Sequence, residues 1–135
     1  MEMEKELNEL PVLQTGDLIC QTSELPASKS LRFVLISPYG PRGAFLLHYQ
    51  GHFRAYLNKC LHLPVTLDYD TGDFFTGDGC QLLCQTHGAL YDPLTGYCNA
   101  GPPIGLSLVP VKISVRQGSV YLEQRPEDFP SGTFD

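Results

Sequence analysis

The sequence predicts an all-β protein, and three observations carry that prediction. Thirteen glycines and eleven prolines punctuate the chain into short apolar runs. Those runs are strand-length and rich in β-branched or aromatic residues. No segment shows a sustained helical stripe bounded by caps. The 135 residues suit one domain with a real core and leave no room for a second folded unit of any size.

In chain order, "DLICQ" at 17–21, "LRFVLIS" at 31–37, "AFLLHYQ" at 44–50 and "FRAYLN" at 53–58 are the first strand-length runs. "YQGHF" at 49–53 has the turn residues of a hairpin between two of them. "LSLVPVKISV" at 106–115 and "SVYLEQ" at 119–124 follow. Here Val111, Ile113 and Val115 alternate with polar residues, "RQG" turns the chain and "SVYLE" returns, which is the clearest hairpin in the sequence. The pattern predicts a small antiparallel barrel or sandwich over about 16–123, with a loop-rich subdomain inserted at about 60–103. The ends, 1–10 and 125–135, read as mobile.

Charge and cysteine content exclude several function classes. A net charge of -6 argues against nucleic-acid binding, which needs clustered Lys and Arg to neutralise phosphates. No run approaches bilayer length, and "MEMEKELNEL" is acidic where an export signal would be basic, so a soluble cytoplasmic protein is expected. Five cysteines are an odd number, which favours ligation or free thiols over a disulfide framework. From Cys60 to Val111 there is no Lys or Arg, while Asp68, Asp70, Asp73, Asp78 and Asp92 are all present. That stretch is either a solvated loop surface or a docking face for a basic partner.

The chemistry-bearing residues come as two close pairs, Cys60 and His62 in "NKCLHLPV", then Cys84 and His87 in "LLCQTHGALYD". Zinc is the first candidate for two thiolates and two imidazoles, but neighbouring ligands of one tetrahedral ion are usually two to four residues apart. Cys60 and His62 are cramped for converging on one metal. A binuclear cluster removes the difficulty, because each loop can send its cysteine to one iron and its histidine to the other.

With C-x-H, a long spacer, C-x-x-H-G in "CQTHGALYDPLTG" and the proline-containing "NAGPP", the chain resembles the Rieske family over about residues 16–123. The resemblance implies one [2Fe-2S] cluster, with Cys60 and Cys84 on an inner iron and His62 and His87 on an outer, exposed iron. It also implies the three-sheet antiparallel Rieske fold, with "GPP" at 101–103, Gly101 and Pro102 among it, forming a lid over the cluster. In the high-potential members each cluster loop carries a further cysteine; those positions are Val65 and Thr86 here, so that bridge is absent. The serine that bonds a bridging sulfide there is Ala89, while the tyrosine that can bond a ligand sulfur is kept as Tyr91. Losing a hydrogen bond to sulfur, beside an acidic subdomain, lowers the potential.

These features predict a soluble, low-potential ferredoxin carrying single electrons from a reductase to a terminal redox enzyme such as an oxygenase, with both partners docking near His62 and His87. It is an electron-transfer protein and not a complete enzyme: two histidines, His48 and His52, remain, and a mononuclear oxygenase site needs a carboxylate and a cavity-forming domain besides. The chain also lacks a nucleotide-binding glycine fingerprint. The alternatives are a cluster-bearing small subunit of a nitrite-reductase-type complex and a redox or iron sensor. Cys80 and Cys98 are expected as free thiols, Cys20 as core, and His48 and His52 as structural or surface residues. "DYDTGD" at 68–73 lacks the closing ligand of a calcium loop. Phe74 and Phe75, set among aspartates, are expected to pack back on the subdomain rather than to form a docking spot.

Overall fold

The computed structural model describes residues 10–59, 74–84, 88–102, 104–130 and 133. Ten strands, β1 (Val12–Leu13), β2 (Leu18–Gln21), β3 (Lys29–Ser37), β4 (Gly40–Tyr49), β5 (His52–Leu57), β6 (Leu82–Leu83), β7 (Leu90–Tyr91), β8 (Cys98–Ala100), β9 (Ile113–Arg116) and β10 (Ser119–Leu122), form three sheets. Two short 3₁₀ turns, Thr22–Glu24 and Pro126–Asp128, are the only helical segments among the described residues.

The central sheet runs β1-β3-β4-β5. Its three long strands are antiparallel, whereas β1 joins β3 in parallel through Val12↔Val34 and Leu13↔Leu35. The β4–β5 hairpin turns at Gln50 and Gly51, whose φ values of 50° and 82° are both positive. The β9–β10 hairpin repeats the device at Gln117 and Gly118, with φ of 50° and 78°. Two successive left-handed residues give the turn whose twist matches that of the flanking strands, and glycine supplies one of them at no steric cost.

β9 and β10 form a second sheet with β2, in the order β2-β10-β9. The run 106–115 is not one continuous strand: regular pairing begins at Ile113, after Pro110. Proline has no N–H to donate, so the chain bonds the edge of β5 on either side of it instead. Leu57 N–H donates to Val109 O at 3.0 Å, and Val111 N–H donates to Ala55 O at 2.8 Å. The third sheet, β6-β7-β8, is built from strands of two or three residues.

The central sheet is buried on both faces because β4 alternates two apolar sets along Ala44-Phe45-Leu46-Leu47. Ala44 and Leu46 face one core with Phe33, Leu35, Ala55, Leu57, Val120 and Leu122. Phe45 and Leu47 face a second core with Tyr56, Phe74, Leu82, Cys84, Tyr91 and Leu108. Residues 125–129, in the C-terminal tail, form a 3₁₀ turn whose Arg125 N–H donates to Asp128 at 3.0 Å, and Phe129 packs against the first core.

Candidate metal centre

Cys84 follows β6 and is fully buried. Its N–H donates to Ala89 O at 2.8 Å, and its carbonyl accepts the Gly88 N–H at 2.9 Å. The chain therefore leaves at Cys84 and is brought straight back at Gly88, where a φ of +72° makes the return turn. The floor beneath Cys84 is the aromatic face of the central sheet: Phe74 stacks on Phe45 at 3.9 Å, and Phe45 lies 6.0 Å from Tyr56. Tyr91 is fully buried on β7, paired across the strands with Leu82 on one side and Cys98 on the other.

The other pair starts from β5. Asn58 N–H donates to Gly43 O at 3.0 Å, holding the chain to β4 two residues before Cys60. Cys60, His62 and His87 themselves lie outside the described residues, as do Val65, Asp68, Asp70, Asp73, Thr86 and Pro103. Among the described residues no group of three or more His, Cys, Asp or Glu stands together, so Cys84 is the described member of the motif.

Gly101 and Pro102 are both exposed. A side chain at Gly101 would bring its Cβ to 2.7 Å from Ala89 Cα, and the residue has φ +96°. Only glycine fits, and the requirement places the 101–102 segment directly against Ala89, itself fully buried two residues beyond His87. Ile104 N–H closes the turn on Gly101 O at 3.1 Å. This contact agrees with a strap over the second loop. A buried thiol, a tight return turn and a close-fitting glycine strap suit a donor set of two thiolates and two imidazoles around a [2Fe-2S] cluster.

The remaining thiols are free: Cys20 and Cys98 are buried and Cys80 is exposed. Burial, with the Glu24 carboxylate nearby, pushes the Cys20 thiol up. Cys98 donates its thiol to Ala100 O at 3.1 Å. His48 is structural, its Nδ1 2.8 Å from Leu25 O and its ring stacked on Phe53 at 4.5 Å, while His52 is exposed. Phe74 and Phe75 are buried in the core, so aspartate neighbours in the sequence do not mark an exposed pair. Asp78 accepts from the Thr76 hydroxyl and the Cys80 N–H, and these bonds hold its carboxyl below the usual range.

Sequence reasoning missed two supports of the site. Ser28 donates its hydroxyl to Gly79 O at 3.0 Å and so ties the chain ahead of β3 to the turn ahead of β6. Tyr56 donates its hydroxyl to Pro93 O at 3.0 Å; burial pushes its pKa up to about 12, against which the Arg54 guanidinium pulls it down. Neither residue carries a local signal, because each acts on a segment far along the chain.

Solved structures of similar shape include the ferredoxin of carbazole 1,9a-dioxygenase from Nocardioides aromaticivorans IC177, at 18% identity and TM-score 0.63, covering 82% of this chain and 99% of that one. A ferredoxin of Sphingomonas yanoikuyae B1 follows at 19% identity and TM-score 0.60, with the same coverage of 82% and 99%. A chain from the complex of reduced oxygenase and oxidized ferredoxin in carbazole 1,9a-dioxygenase matches at 22% identity and TM-score 0.64, covering 84% of this chain and 96% of that one. No curated protein matches the sequence. No helix among the described residues is long and apolar enough to cross a membrane. The Rieske [2Fe-2S] domain profile matches residues 17–111, spanning β3, β4 and β5 of the central sheet, both Cys/His pairs and Gly101, and the chain belongs to that family.

Proposed function

We propose that this protein is a soluble, cytoplasmic, low-potential Rieske ferredoxin that takes single electrons from a reductase and passes them to a terminal redox enzyme such as an oxygenase. It carries electrons and is not itself a catalyst. Cys60 and Cys84 hold the inner iron, and His62 and His87 hold the outer one, nearer the partner. The observation that carries the reading is the seating of Cys84: a fully buried thiol in a tight return turn, roofed by a strap that only Gly101 can form against Ala89. The near-complete coverage of two ferredoxin structures supports it.

A [2Fe-2S] cluster held there supplies a one-electron couple whose charge changes by one. The chain's own residues set its poise. Burial of Cys84 keeps water from the thiolate, and Ala89 offers no hydroxyl to a sulfide where a serine would. Tyr91, kept from the family pattern, would offer its phenol to a ligand sulfur. Hydrogen bonds to sulfur favour the reduced state, so one donor fewer lowers the potential, and carboxylates without a compensating cation between Cys60 and Val111 act in the same direction.

The deciding experiment is the dithionite-reduced EPR spectrum beside iron, sulfide and zinc content. Two irons, two sulfides and the low average g-value of a His-ligated cluster are expected, with a potential near about −150 mV by protein-film voltammetry. A colourless protein holding one zinc overturns the reading, and a potential well above zero overturns its low-potential part.

A further inference from the structure

At the rim of the first core, on the far face of the central sheet from Cys84, the chain builds a cavity of about 290 Å³. Three tied segments wall it. The 14–17 turn is bonded to the end of β10, Gly16 N–H donating to Leu122 O at 2.6 Å and Leu122 N–H to Asp17 O at 2.9 Å. β3 contributes Leu35 and Ile36, with Leu13 of β1 beside them in the parallel pair Leu13↔Leu35. The end of β10 and the segment after it contribute Leu122, Gln124 and Pro126, and Gln124 N–H is held by Lys112 O at 3.1 Å. Backbone bonds fix every wall, so the cavity is preformed, and its size falls at the small end of ligand pockets. Gln14 and Ile36, both exposed, stand where it opens to solvent.

Gln124 is set into this largely apolar lining and is only 5% exposed. Its Oε1 accepts the Lys112 N–H at 2.8 Å, which fixes the amide's orientation, so the other terminal atom is the Nε2 donor. Nε2 has no hydrogen-bond partner among the described residues, yet it is not wholly sealed in. With the rest of the residue buried, the cavity is the space open to it. A buried donor without a partner is costly, which favours an acceptor in that space. The nearby acceptors are already engaged, since Gln124 O takes the Thr15 hydroxyl at 2.8 Å. No charged side chain lines the cavity, so an anion entering it would lose its water and gain no cation.

We propose that this cavity binds a small neutral molecule with an apolar body and one carbonyl group. The carbonyl oxygen accepts from Gln124 Nε2, and the body packs on Leu13, Leu35, Leu122 and Pro126. Binding there is separate from electron carriage, because Leu35 and Leu122 belong to the first core and Cys84 to the second.

The test titrates the full chain, as purified, with acetophenone, a neutral aryl ketone, and follows amide resonances by NMR. Saturable shifts are expected at the Gln124 side-chain amide and at the backbone amides of Leu13, Leu35 and Leu122. Ethylbenzene has a similar shape without the acceptor and should bind about tenfold more weakly. Benzoate, which brings a charge, should also bind more weakly than the ketone. Ile36→Trp places a large ring at the mouth, at a position exposed enough to accept it, and should abolish the shifts. No saturable shift with acetophenone, equal affinity for ethylbenzene or benzoate, or shifts that survive Ile36→Trp would overturn the site while the carrier reading stands. A protein that shows the shifts but lacks the Rieske EPR signal keeps the site and loses the carrier reading.

Discussion

The two faces of the central sheet support very different structures. On one, β3, β4 and β5, of nine, ten and six residues, meet the β2-β10-β9 sheet across a mainly aliphatic core of leucine, alanine and valine that also holds Phe33 and Cys20. On the other, strands of two or three residues carry an aromatic and cysteine-rich core. The first face holds itself by long ladders and buried area. The second has little ladder of its own and relies on ring stacking, positive-φ glycines and the metal centre that its loops are shaped to hold. Stability and chemistry are thereby separated by the thickness of one sheet, so the redox half can be rebuilt by evolution or by design while the other keeps the protein folded.

The sharpest way to break this comparison is to remove a proposed ligand. Cys84→Ser should abolish most of the visible colour and lower the Tm, because metal binding contributes folding free energy to loops with little apolar core. Amide exchange in β3, β4 and β5 should stay slow while β6, β7 and β8 lose protection. If the long strands exchange just as fast, the two halves melt as one and the contrast fails. The reciprocal change, Leu46→Ala, empties a fully buried site in the aliphatic core and should cost about 2–5 kcal/mol in denaturant unfolding. Iron content per folded molecule should not change. A smaller effect is expected at the strap: Gly101→Ala forces a Cβ against the Ala89 backbone at a positive φ and should cost about 1–3 kcal/mol, with a shifted EPR lineshape. An unaltered spectrum would detach the strap from the metal centre.

The smallest effect is alkaline. The folded Tyr56 pKa is raised from 10.0 to about 12, chiefly by burial, so between these values the unfolded chain loses a proton that the folded chain keeps. Stability falls as pH rises through that window. Tyr56→Phe should flatten this part of the stability profile while losing about 1 kcal/mol from the bond to Pro93 at neutral pH. A profile equally steep in the variant would assign the alkaline loss elsewhere.

Much of the aliphatic half could be read from the chain, since alternation in β9 and β10 and the turn residues Gln50-Gly51 and Gln117-Gly118 are local signals. The family was equally legible, because the Cys/His spacing that marks it is a property of sequence. What escaped were features made by closure over distance. β6, β7 and β8 are too short to show a period and exist because Cys84 and Ala89 bond each other. The parallel docking of β1 on β3 depends on a partner twenty-two positions away, as Val12↔Val34 records. The double-sided burial of β4 reads as a plain apolar run, since a strand covered on both faces has no polar alternation to display. Phe74 packs inward as expected, but its stacking partner Phe45 on β4 could not be named from the chain.

The arrangement of β4 also orders events in the life of the protein. Phe45 and Leu47 project from a strand whose register is set by its neighbours at Arg32, Ser30, Tyr56 and Arg54, and a slip of one residue would send Phe45 and Leu47 into the aliphatic side and Ala44 and Leu46 the other way. Hairpin pairing among residues 29–57 is sequence-local and rapid. The platform for Cys84 is therefore expected to form from local pairing alone, ahead of the short strands that carry the second Cys/His pair.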